Sequence, residues 1–69
     1  MNQTAIGSYI ARKRRELNLT QEQLAEQLGV SNKTISKWEN AKCMPDYSTI
    51  QKLCQVLQVT LPELMDGED

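Results

Sequence analysis

Thr20-Gln21-Glu22-Gln23-Leu24-Ala25-Glu26-Gln27-Leu28-Gly29-Val30-Ser31-Asn32-Lys33-Thr34-Ile35-Ser36-Lys37-Trp38-Glu39-Asn40 reads as two short helices joined by a tight turn. Thr20 is a natural N-cap, because its hydroxyl can accept from backbone amides left unpaired in the first turn. Gln23, three residues on, can complete a capping box. Leu24, Ala25 and Leu28 then share one helical face. Gly29 stops the helix, since it takes the left-handed conformation without a Cβ clash. Ser31 caps the next helix. The whole unit is a helix-turn-helix, with helices expected at about 21–28 and 32–40.

Working outward, the same signals predict three more helices. One runs from about Thr4 to Leu17, with Ile6, Ile10 and Leu17 inward and Tyr9 at the flank. Another spans about 47–57, entered through Pro45 and capped by Asp46. Its stripe is Ile50, Leu53, Cys54 and Leu57 at i, i+3, i+4 and i+7. A last short helix at about 61–65 is capped by Thr60, has Pro62 in its first turn, and turns Leu61, Leu64 and Met65 inward. Ile35 and Trp38 share the inward face of the third helix, and Val30 and Val59 plug junctions. The expected fold is all-α: a compact five-helix domain over residues 1–69, with its core supplied by Leu, Ile, Val and one Trp, because there is no Phe.

Composition narrows the function. Sixty-nine residues, 39% hydrophobic and 25% charged, suit one small globular domain. No apolar run reaches the length of a membrane span. Arg12, Lys13, Arg14 and Arg15 interrupt the place where a secretory signal's apolar region would lie, so a cytoplasmic location is expected. The net charge of −1 is polarised: residues 1–42 hold seven Lys and Arg against four Glu, a net of +3, whereas residues 43–69 carry a net of −4. The basic half contains the helix-turn-helix. There is no His, so the commonest general base is missing. No nucleophile elbow or phosphate loop appears, and no enzyme is expected. Two Cys without His cannot make a four-ligand zinc site, so no metal and no cofactor are expected. Cys43 and Cys54 read as reduced, unpaired thiols. No small-molecule site is apparent.

Thr-Gln-x-x-Leu-Ala-x-x-x-Gly-Val-Ser, then Ile-Ser-x-Trp-Glu-Asn, then Pro45 and the helix beyond it resemble the phage repressor and Cro-like (xenobiotic-response-element-type) family of DNA-binding domains. The resemblance leaves out only Met1 to about Thr4 and Gly67 to Asp69. It implies a sequence-specific regulator of transcription, a repressor, bound as a homodimer to an inverted-repeat operator in double-stranded DNA. Half-sites would lie about one DNA turn (~34 Å) apart. With no ligand-sensing domain at this length, the chain is either regulated from elsewhere or the DNA-binding part of something longer.

The outer stripe of the third helix fits that role. Lys33, Ser36, Lys37 and Asn40 fall at i, i+3, i+4 and i+7, and every one can donate a hydrogen bond. Asn32 joins them at the N-terminal end, the part of such a helix nearest the bases. Lys33 can donate to guanine, Asn32 can bind adenine in bidentate fashion, the Thr34 methyl can touch a thymine methyl, and Lys37 can reach a base or a phosphate. Ser36 completes the stripe as a phosphate contact. Gln21 begins a helix, where amides and dipole favour a phosphate. The resemblance implies that it also braces Asn32; the plain alternative is a good helix former. Asn40 and Lys42 match family positions that touch phosphates. Tyr47 can do so through its hydroxyl, or can simply cover the core edge. Arg14 lies on the inward stripe and Glu39 follows Trp38. A charge drawn toward a core needs a partner, and the resemblance implies that these two pair. A second function class stays open: a protein-binding module on the same fold, of antitoxin or anti-repressor type, contacting its partner or a second copy through the acidic, apolar end at Leu61, Leu64, Met65, Asp66, Glu68 and Asp69.

Overall fold

Each helix of the computed structural model, which describes residues 2–69, begins at a side-chain cap and ends where the backbone turns left-handed or loosens. Met1, counted in the expected domain, lies outside the described residues. The order is α1 (Gln3–Glu16), α2 (Gln21–Leu28), α3 (Asn32–Glu39), α4 (Tyr47–Leu57) and α5 (Leu61–Asp66), with no strand among the described residues. Thr20 accepts from the Gln23 amide at 3.0 Å while the Gln23 side chain accepts from the Thr20 amide at 2.8 Å, a complete capping box. Thr60 and Glu63 repeat it on α5. Ser31 and Asp46 cap α3 and α4 through the amides of Thr34 and Thr49. Gly29 closes α2 at φ +72°.

α1 begins one residue before the expected Thr4, because Asn2 caps it by accepting from the Ala5 amide. It ends at Glu16, with Leu17 as the cap residue. α3 likewise ends at Glu39, one residue early, and α5 runs one further, to Asp66.

α1 packs on α3, α4 and α5, and α2 packs on α3 and α4. Ile6, Ile10, Leu24, Ala25, Leu28, Ile35, Trp38, Ile50, Leu53, Leu57 and Leu64 form the core. Tyr9 is a correction: it is 1% exposed, not a flank residue, because α5 and the residues after it close over that side of α1. Leu61 is the opposite correction, at 40% exposed. In a helix of six residues its first position projects past the edge of the core that Leu64 reaches. Leu17, Val30, Cys54, Val59 and Met65 are only partly buried and pack against the rim of the core.

Gly7 sets how closely α1 and α3 approach. A Cβ there would lie 2.9 Å from the Glu39 carbonyl oxygen and closer still to that of Trp38. The two backbones touch where any side chain would separate them.

Candidate nucleic-acid interface

α3 ends in a left-handed turn, and the groups beyond its inward face depend on where that turn leaves the chain. The Ala41 amide donates to the Trp38 carbonyl at 3.1 Å and the Lys42 amide to that of Lys37 at 2.8 Å. Ala41 sits at φ +60° between them. This is a Schellman-type cap built without glycine. It folds Lys42 back beside α3, so Ser36, Lys37, Asn40 and Lys42 line one open cleft of about 620 Å³.

Four side chains expected to meet a ligand therefore share one surface. Asn32, Lys33, Lys37, Asn40 and Lys42 are exposed, and Thr34 and Ser36 are half-buried. Tyr47 is 65% exposed, so its ring does not serve mainly to cover the core. The Asn40 amide nitrogen donates to the Ser36 carbonyl at 2.8 Å and to Ser36 Oγ at 3.3 Å. Because that oxygen accepts, the Ser36 proton is left to donate elsewhere. Thr34 Oγ1 and Ser31 Oγ lie 3.0 Å apart, which ties Thr34 to the cap of its own helix.

Charge is distributed in a way the sequence stripe conceals. Arg12 and Lys13 meet Glu16 and Asp69, and Arg14 meets Glu39. Among the described residues, Lys33, Lys37 and Lys42 have no carboxylate within salt-bridge reach. The cations of α1 are mostly neutralised inside the molecule, and those of α3 and its turn face solvent.

Behind this surface lies a buried ionic cluster. Arg14 Nε donates to Glu39 Oε2 at 2.7 Å and Nη2 to Oε1 at 3.1 Å, while Nη1 donates to the Leu19 carbonyl at 2.8 Å. The fork geometry suits a planar guanidinium. The Gln21 amide joins it, donating to Glu39 Oε1 at 3.0 Å. The expected brace from Gln21 to Asn32 is therefore not formed. The carboxylate of Glu39 is the stronger acceptor and lies within reach, so it takes the amide.

A second cluster was missed in the sequence. The Tyr9 hydroxyl donates to Asp69 Oδ1 at 2.9 Å, and Lys13 Nζ meets the same oxygen at 2.7 Å. Burial, then the bond to Asp69 and its charge, raise the Tyr9 pKa to about 12. Lys13 and then Tyr9 hold the Asp69 carboxyl below its usual value. Tyr9 belongs to an i, i+3, i+4 pattern with Ile6 and Ile10, which was the available signal; nothing local points to Asp69. Cys43 is exposed and Cys54 half-buried, both free, and burial raises the Cys54 thiol's pKa. No helix among the described residues is long and apolar enough to cross a membrane.

Residues 10–64 match the helix-turn-helix family. The chain is 50% identical over 52 residues to the HTH-type transcriptional activator BcrR of Enterococcus faecalis, covering 75% of this chain and 26% of that protein. It is 32% identical over 68 residues to repressor protein C2 of Salmonella phage P22, covering 99% of this chain and 32% of that one. It thus spans about a quarter to a third of the length of these curated relatives. Among solved structures, the P22 c2 repressor in complex with a synthetic operator is similar at a TM-score of 0.87 and 32% identity, covering 91% of this chain and 96% of that one.

Proposed function

The chain belongs to the helix-turn-helix family of phage-repressor type, and from that premise we propose that it binds double-stranded DNA sequence-specifically and regulates transcription, as a repressor. One observation carries the reading. Of the five described Lys and Arg side chains with no carboxylate partner, Lys33, Lys37 and Lys42 lie together along α3 and its closing turn, whereas Arg15 and Lys52 stand apart on α1 and α4, and the other three cations of α1 are paired within the chain. An α-helix with its side chains is about 10–12 Å across, which fits the roughly 12 Å width of the major groove.

In this reading Asn32, Lys33, Thr34 and Lys37 meet base edges. Gln21, Ser36, Asn40, Lys42 and Tyr47 meet phosphates. Gln21 keeps one N–H for a phosphate while the other is held by Glu39. The operator is an inverted repeat bound by two copies, and the site of action is the cytoplasm. No catalytic step belongs to this reading. The resemblance to a repressor and to an activator supports regulation in common; the sign follows from where the operator lies.

The test is selection of bound sequences from a random duplex library, then titration of the winner at two salt concentrations. A palindrome should be enriched, and affinity should fall about a thousandfold between about 50 and 200 mM salt as phosphate contacts release counterions. Weak binding to every duplex alike would transfer the donor face of α3 to a protein partner.

A further inference from the structure

Lys42 is not placed by α3, because the helix has ended three residues earlier, at Glu39. It is placed by the turn at Ala41. A non-glycine residue at φ +60° is strained, and it persists only where its surroundings hold it. Its amide and that of Lys42 are bonded back to α3. Its carbonyl is held from elsewhere: Gln3 Nε2, 38 residues away in the sequence, donates to the Ala41 oxygen at 3.1 Å. One turn further along α1, Gly7 lets the helix rest directly against the carbonyls of Trp38 and Glu39. The start of α1 thus grips the exit of α3 at two points. Gln3 is exposed and serves no core contact, so the bond to Ala41 is what its amide does in the fold.

We propose that Gln3 is a positioning residue for DNA binding: by holding the Ala41 carbonyl it sets Lys42 on the wall of the cleft and aims it at a backbone phosphate. This rests on the reading of α3 and Lys42 as the DNA face. Gln3 itself makes no contact with DNA. Its contribution is felt through Lys42, which arrives already oriented and loses less freedom on binding.

The experiment is a double-mutant cycle in the full chain on the selected duplex, using Gln3→Met, Lys42→Ala and the pair. Methionine keeps the length and neutrality of glutamine and removes the donor. Each single variant should weaken binding about 3- to 10-fold and lower the salt slope by about one, as loss of one phosphate contact does. The double variant should bind like Lys42→Ala alone, and Gln3→Met should stay fully folded at the binding temperature, its melting point lowered by no more than the few degrees that one exposed hydrogen bond contributes in a domain of this size. A general structural role for Gln3 predicts instead that the two losses multiply, which would overturn the inference. So would a Gln3→Met chain that binds normally while Lys42→Ala does not; that outcome leaves the reading of Lys42 intact. A Lys42→Ala chain that binds normally overturns both together, and the absence of any enriched duplex overturns the proposed function with them.

Discussion

Arg14 and Glu39 show how much a single side chain does in a domain of this size. Both are nearly buried, and each satisfies the other's charge in fork geometry. Removing one partner leaves an uncompensated ion in the interior, which typically costs about 3–5 kcal/mol, whereas replacing both by apolar groups is close to neutral. Arg14→Met should therefore lower the melting temperature sharply, and Arg14→Met combined with Glu39→Leu should recover much of the loss. Equal melting of the single variant and the original chain would contradict this. The inward position of Arg14 was legible from its place between Ile10 and Leu17. That Gln21 would share the Glu39 carboxylate was not, since it depends on how α2 is set against the end of α3.

Elements are delimited here by local chemistry. The Thr20, Ser31, Asp46 and Thr60 caps all act within three residues of themselves, which is why the sequence locates α2, α3, α4 and α5 closely. The C-terminal ends are less regular. Asn18, Ala41 and Gln58 close α1, α3 and α4 with positive φ and no glycine. Gln58 is exposed, and its φ of +61° lets its own amide and that of Val59 close on the carbonyls of Gln55 and Cys54, a cap that glycine makes without the Cβ cost. Gln58→Gly should raise stability by about 0.5–1 kcal/mol, read as a higher denaturant midpoint with unchanged slope. Lower stability would mean that the side chain makes a contribution larger than the strain. α3 ends a residue before its expected bound because its left-handed turn falls on Ala41, which does not advertise it; α1 also ends a residue early, although Asn18 is a residue type that adopts this conformation readily.

Across the whole molecule, the packing of α1 on α5 that joins the two ends of the described chain is reinforced by the meeting of Tyr9, Arg12 and Lys13 with Asp69. The folded carboxyl is held below its ordinary 3.8, mainly by Lys13 and then by Tyr9, so its contribution is complete above that value and disappears as pH falls through the lower, folded one. The Tyr9 hydroxyl is raised from 10.0 to about 12, so its share is present below 10.0 and is lost as pH rises toward 12. Asp69→Asn should lower the melting temperature between these limits and make no difference in strong acid, and tyrosinate absorbance should appear at lower pH in the variant. A melting difference that persists in acid would show that the carboxylate charge is not responsible. Neighbouring residues could announce the helix-turn-helix, the caps, most of the core stripe and the donor face of α3, because each depends on chemistry repeated within about one helical turn. The burial of Tyr9, the exposure of Leu61, the capture of Gln21 by Glu39 and the grip of Gln3 on Ala41 join residues from 18 to 60 positions apart or depend on where one helix ends against another. No local pattern encodes such distances; they come into being when the helices pack.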